Sequence, residues 1–156
     1  FNYKMKKLII IVIALFILNN CGYTPIYSSK ENNFYIKEIS QKNTSKLNTK
    51  IMKNLRRFSN QDSENTVQLE INSNKKIDII SKDKKGDPSR FQMTVFLNIA
   101  VLSKNNYEIN KTKSFSAKFN YQNNSNKFSL KQYEKEIEDI LINKIANQSI
   151  IYLSEL

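Results

Sequence analysis

Phe91-Gln92-Met93-Thr94-Val95-Phe96-Leu97-Asn98-Ile99-Ala100-Val101-Leu102 puts Phe91, Met93, Val95, Leu97, Ile99 and Val101 on one parity and Phe96, Ala100 and Leu102 on the other. Successive side chains of a strand point to opposite faces, so this stretch predicts a central strand, covered on one face and partly on the other. Upstream, residues 66–81 alternate Val67, Leu69 and Ile71 against Thr66, Gln68 and Glu70, and resume with Ile77 and Ile79. That pattern predicts a long half-buried strand, with a bend or bulge over the polar run 72–76. The intervening segment 82–90 holds Gly86 and Pro88 and reads as a turn. Downstream, the polar residues 103–106 make a second turn. Residues 107–121 follow as a further strand, with Phe115, Ala117, Phe119 and Tyr121 on one side. These three strands form a meander.

Two helices and one more strand complete the chain. Leu47, Ile51, Leu55 and Phe58 recur at steps of four, four and three, one stripe of a helix over 44–58, with Lys46, Lys50, Lys53, Arg56 and Arg57 on the rest of its surface. Ser129-Leu130-Lys131-Gln132 matches a capping box, which predicts a helix from Ser129 to about Leu153. Its inner face is read as Tyr133, Ile137, Ile140, Leu141, Lys144, Ile145 and Gln148. Glu134, Lys135, Glu138, Asp139 and Asn143 are read as solvated, with Lys131 and Lys135 at pairing distance from the acids. A short strand over 34–39 precedes the first helix. The order is β-α-β-β-β-α, and it predicts an α+β two-layer sandwich: two helices packed on one face of a four-stranded, mostly antiparallel sheet.

The amino-terminal end carries an export signal. Lys6 and Lys7 precede an unbroken apolar run from Leu8 to Leu18, too short to span a bilayer comfortably, and Asn19-Asn20-Cys21 follows. Leu18 stands three residues before Cys21, the relation in which a lipoprotein signal sets the cysteine whose thiol receives diacylglycerol. Asn20 occupies the place where Gly, Ala or Ser is usual, and Met5 reads as the translation start. The expected organisation is a signal peptide over 1–20, a lipidated tether over 21–33 with Cys21 as the lipidation site, and one domain over 34–156. A lone exported cysteine closes no internal disulfide, so the domain must fold on its hydrophobic core.

Composition narrows the chemistry. The chain has 156 residues and a formal charge of +11, and only Lys4, Lys6 and Lys7 of its cations lie in the signal. An exported basic surface is not meant for nucleic acid; it suits anionic lipid head groups, phosphorylated glycolipid or an acidic protein, or it is an AT-rich genome's codon bias. There is no histidine, and the two glycines, Gly22 and Gly86, build no phosphate loop. No metal, cofactor or catalytic site is expected, and an enzyme is the weakest reading. The cations Lys82, Lys84, Lys85 and Arg90 on the turn between the long strands are the candidate contact for an anionic ligand, or else solvated charge that blunts a hairpin tip.

Several motifs in order carry a resemblance. Cys21-Gly22-Tyr23-Thr24-Pro25-Ile26-Tyr27 departs from Cys-Gly-aromatic-x-Pro-Leu-Tyr only by Ile for Leu; Ser89-Arg90 opens the third strand; Phe119-Asn120-Tyr121 ends the fourth. With the signal and the element order, the whole mature chain resembles the LPS-assembly lipoprotein family LptE. The resemblance implies a lipid-anchored protein on the periplasmic face of the outer membrane, which plugs an LptD-like β-barrel, assists its assembly and helps deliver lipopolysaccharide to the cell surface. Arg90 and Lys85, with Lys82 and Lys84 beside them, are then the expected contacts to lipopolysaccharide or the barrel wall. A different periplasmic lipoprotein, such as a barrel-assembly accessory factor or a cell-wall adaptor, fits the same composition. A membrane-surface lipid carrier would need an apolar cavity, for which one sheet face and two helices leave little room.

Overall fold

The computed structural model describes residues 33–103 and 108–156. The elements run β1 (Tyr35–Gln41), α1 (Lys46–Arg57), β2 (Thr66–Lys82), β3 (Pro88–Leu102), β4 (Ile109–Gln122) and α2 (Lys127–Ser154). The sheet order is β1-β2-β3-β4. β1 is parallel to β2, as the intervening helix α1 permits, and the other two pairings are antiparallel. The expected α+β architecture, β-α-β-β-β-α over four strands, is the one found. Signal 1–20, Cys21 and nearly all of tether 21–33 lie outside the described residues.

The alternation of β3 sets the two layers. Met93, Val95, Leu97 and Ile99 are fully buried, and Leu69 and Ile71 of β2 and Ala117 and Tyr121 of β4 join them on that face. Ile51 and Leu55 of α1 and Ile137, Leu141, Ile142, Ile145, Ile150 and Leu153 of α2 close over it in one core. Each fully buried aliphatic side chain here stabilises the fold by ~1.5–3 kcal/mol against the entropy of ordering the chain. The opposite face of the sheet carries no helix among the described residues. It presents Asn72, Asn74, Asn98, Ser114 and Ser116 around a half-exposed Phe96.

Four local expectations are corrected. β2 does not bend at 72–76: its pairing with β3 is continuous from Gln68↔Leu102 to Ile79↔Phe91, and the irregularities fall near Ser81. The polar run is accommodated by its alternation. Asn72, Asn74 and Lys76 point to the uncovered face, while Ser73 donates its hydroxyl to Oδ1 of the fully buried Asn48 and Lys75 reaches Glu138 of α2. Second, α2 starts before Ser129, because Asn126 is its N-cap and its Oδ1 accepts from the backbone N–H of Phe128 (3.0 Å) and Ser129 (3.1 Å). Third, the inner face of α2 omits Ile140, Lys144 and Gln148, all exposed, and includes Leu130, Ile142, Ala146, Ser149 and Ile150, while Tyr133, though 42% exposed, keeps its ring against Tyr121.

The fourth correction concerns charge. Glu138 is not a solvated flank residue paired along its own helix: it accepts from Lys50 of α1 at 2.7 Å and from Lys75 of β2 at 2.6 Å, with its side chain only 15% exposed. Asp139 also takes Lys50, at 2.8 Å. This cluster joins both helices to the sheet. Burial opposes the Glu138 carboxylate, yet the hydrogen bonds and charges of Lys50 and Lys75 outweigh it and hold the group below its usual range.

Candidate functional site

The β2–β3 turn is built by one carboxylate. Asp83 Oδ1 accepts from the backbone N–H of Lys85 (2.8 Å) and of Asp87 (2.9 Å), and the Asp83 carbonyl accepts from Gly86 N–H at 3.1 Å. Gly86 has φ of 88°, the left-handed region that glycine enters without a Cβ penalty. With Asp83 turned inward to the backbone, the turn displays cations. Lys84 and Lys85 stand on it and Lys82 at its foot, all exposed, and none pairs with a carboxylate among the described residues.

Arg90 is set apart from the three lysines. It is the third residue of β3, pairs with Gln122 at the end of β4 and is exposed. There it lines an open groove of about 680 Å³ with Phe119, Asn120, Tyr121, Asn123 and Tyr133, at the end of the sandwich where β4 passes into α2. The structure therefore divides the predicted cationic patch: Arg90 belongs to the groove, and Lys84 and Lys85 to the adjoining hairpin tip.

What positions Arg90 is the clip between β3 and β4. Asn123 donates its backbone N–H to the Ser89 carbonyl (2.9 Å) and its side-chain amide to the Pro88 carbonyl (2.7 Å), and its buried Oδ1 has no hydrogen-bond partner among the described residues. Gln92 donates to Asn120 across the strands at 2.8 Å. On the inner side Phe91 lies against Tyr121 with ring centroids 5.5 Å apart, and Tyr121 meets Tyr133 edge-on at 6.2 Å. Tyr121 is 3% exposed and donates its hydroxyl to Glu134 Oε1 at 2.7 Å. Burial, and then the Glu134 carboxylate, push its pKa up.

Ser89, Arg90 and Phe119-Asn120-Tyr121, far apart in sequence, thus meet at one end of the molecule. Asn123 and Asn126 carry no functional reading in the sequence, although the polar run Asn123-Asn124-Ser125-Asn126 ahead of an apolar helix is a cap signal, and Glu134, read there as a solvated flank residue, is half-buried and accepts the Tyr121 hydroxyl. The arrangement offers an exposed guanidinium, on a strand whose backbone is held by the Asn123 clip, in a groove with amides and aromatic rings, which suits binding of an anionic or glycosyl group. Among the described residues no three His, Cys, Asp or Glu side chains converge as metal ligands, and no helix is long and apolar enough to cross a membrane.

The same fold occurs in bacterial lipoproteins. The solution structure of an uncharacterized lipoprotein B from Nitrosomonas europaea superposes with a TM-score of 0.59 at 13% identity, covering 83% of this chain and 88% of that one. A minor lipoprotein from Acinetobacter baumannii gives 0.58 at 12% identity, covering 80% and 92%. The rare lipoprotein B from Shewanella oneidensis gives 0.50 at 14% identity, covering 78% and 91%. At these identities the likeness concerns the fold. No protein-family model matches the sequence, and no curated protein does.

Proposed function

We propose that this chain is an outer-membrane lipoprotein of the LptE kind, anchored through Cys21, that occupies the lumen of an LptD-like β-barrel and helps pass lipopolysaccharide to the cell surface. The observation that carries the reading is the convergence of Arg90 and Phe119-Asn120-Tyr121 on one groove, beside a cationic turn, in a fold that bacterial lipoproteins share. Its work is contact rather than catalysis. A barrel lumen is polar, and the uncovered sheet face, with its Asn and Ser side chains beside the charged Lys76 and Asp78, is a polar surface that such a wall can meet. Lipid A carries phosphates, and the planar guanidinium of Arg90 can give a phosphate two parallel hydrogen bonds, which a lysine ammonium does not.

The test is binding of lipopolysaccharide by the full chain in detergent at low salt. Arg90→Ala combined with Lys85→Ala should weaken binding about tenfold or more, from two lost charge-assisted contacts. Unchanged binding would discard the site. Capture of a barrel partner by the tagged chain tests the plug, and the intact mass of the membrane-extracted protein tests cleavage before Cys21 and its acylation.

A further inference from the structure

β2 outruns its outer neighbour. β1 pairs only with residues 66–71, its last contacts being Gln41↔Ile71 and the Lys42 N–H to the Ile71 carbonyl at 3.0 Å, after which the chain leaves for α1. Over residues 72–82, β2 is paired with β3 alone among the described residues, so its other edge presents free backbone donors and acceptors. The edge contains no proline, and its irregularities lie only at the far end. Along it Ile77, Ile79 and Ile80 are 41%, 52% and 43% exposed. Native proteins usually blunt such an edge with charge, and Lys75, Lys76, Asp78 and Lys82 restrict this one to a strand whose charges match them, while its length and exposed isoleucines leave it open to pairing.

The sequence of the edge identifies that strand. We propose that a second copy of this chain pairs with it antiparallel, about a two-fold axis through Ile77. Directly opposed residues of an antiparallel pair share a face. This register therefore sets Ile77 against the partner's Ile77 on the helix side, with Lys76 against the partner's Asp78 and Asp78 against the partner's Lys76 on the uncovered side. Within one copy Lys76 and Asp78 already hold each other at 2.8 Å on that face, both well exposed, so the charges are placed to exchange partners.

The neighbouring face-preserving registers are penalised. Centring on Asp78 opposes it to the partner's Asp78, and centring on Lys76 opposes it to the partner's Lys76, both like-charge contacts. The chosen register also fits the space available: Ile71, where β1 stops, comes opposite the partner's Asp83, where the β2 hairpin turns. Each hairpin tip thus ends where the other copy's β1 ends, and the two sheets become one. Such a self-complementary patch is what a closed two-fold dimer requires.

The full chain in detergent is the sample, and its molar mass by light scattering or sedimentation equilibrium, up to about 1 mM, is the measurement. A concentration-dependent dimer is expected. Lys76→Asp and Asp78→Lys should each raise its Kd about thirtyfold, since each replaces two attractive cross-strand pairs by two repulsive ones. An equimolar mixture of the two variants should associate again, because one copy then carries only cations and the other only carboxylates at positions 76 and 78. A folded chain that stays monomeric throughout overturns the proposal. So does a dimer that neither change moves, or a mixture that associates no better than its components. The residues used are not those of the groove, so loss of lipopolysaccharide binding and loss of the dimer are separate outcomes.

Discussion

Replacing Glu138 by Gln tests whether one carboxylate ties both helices to the sheet. The amide keeps the shape of the side chain and removes the charge that Lys50 and Lys75 meet at 2.7 and 2.6 Å. The two lysine side chains are 35% and 38% exposed, so solvent screening holds each pair to ~0.5–1 kcal/mol, and Lys50 retains Asp139. The expected loss is therefore about 1–2 kcal/mol in all, or roughly 1 M in the urea midpoint at an m-value near 1.5 kcal/mol/M. The pH dependence carries the sharper signature. Because the folded-state pKa of Glu138 is depressed, its contribution is present above the unfolded value, near 4.5, and is lost as the pH falls through the folded pKa. The wild type should lose this margin on acidification below about pH 4.5, while Glu138→Gln should show a flatter acid limb and converge with the wild type at low pH. Urea melts at pH 7, 5, 4 and 3 measure both. Equal midpoints at pH 7, or a constant gap down to pH 3, would refute the reasoning.

Three further outcomes follow from the geometry. Asn126→Ala should cost about 1 kcal/mol by leaving two backbone donors of α2 uncapped, whereas Ser129→Ala should lie within ~0.5 kcal/mol of the wild type; urea melts of the pair decide which residue is the cap. Tyr121→Phe removes the hydroxyl that Glu134 accepts at 2.7 Å and should cost about 1 kcal/mol at pH 7. As the Tyr121 pKa is raised in the fold, its contribution is full below the unfolded value of 10.0 and fades above it, so the gap to the Phe variant should narrow in melts at rising alkaline pH. Leu97→Ala empties a fully buried position of the central strand and should cost ~2–5 kcal/mol, while Phe96→Ser on the uncovered face should cost far less; thermal melts followed by circular dichroism separate them.

The strands were legible because their signal is local. A parity that holds from Met93 to Val101 needs no knowledge of what covers it, and the same holds for Leu69 and Ile71, and for Ile51 and Leu55 on α1. Pairing partners chosen across the fold were not legible. Glu138 has Lys135 one turn away on its own helix, and nothing in the sequence says that Lys50 and Lys75 will be closer. Residues 72–76 read as an interruption because the strand template counts apolar side chains. Inside the fold Ser73 and Lys75 occupy inner positions whose polar atoms are met by Asn48 and Glu138. The convergence of Ser89-Arg90 with Phe119-Asn120-Tyr121 likewise depends on β3 and β4 being adjacent and in register Arg90↔Gln122, which no single segment encodes.

The inner face of α2 shows why a long helix is the hardest element to read. A stripe at i, i+3, i+4 presumes one neighbour along the whole length, but this helix changes neighbours as it runs. Near its start Tyr133 and Glu134 meet Tyr121 of β4; at Glu138 and Asp139 it meets α1 and β2; at its end Tyr152 lies edge-on to Phe115 of β4, with centroids 5.9 Å apart. Ile142, Ala146, Ser149 and Ile150 are buried alongside Leu141, Ile145 and Leu153, so its second half is enclosed over a wider arc than its first. A stripe extrapolated from the first turns therefore selects Lys144 and Gln148, which are exposed, and misses Ile142 and Ala146, which are not. The same change of neighbours binds the groove to the rest of the molecule. The turns that line it with Leu130 and Tyr133 are continuous with those locked into the core, so packing holds the helical wall of the groove while the Asn123 clip holds the strand that carries Arg90.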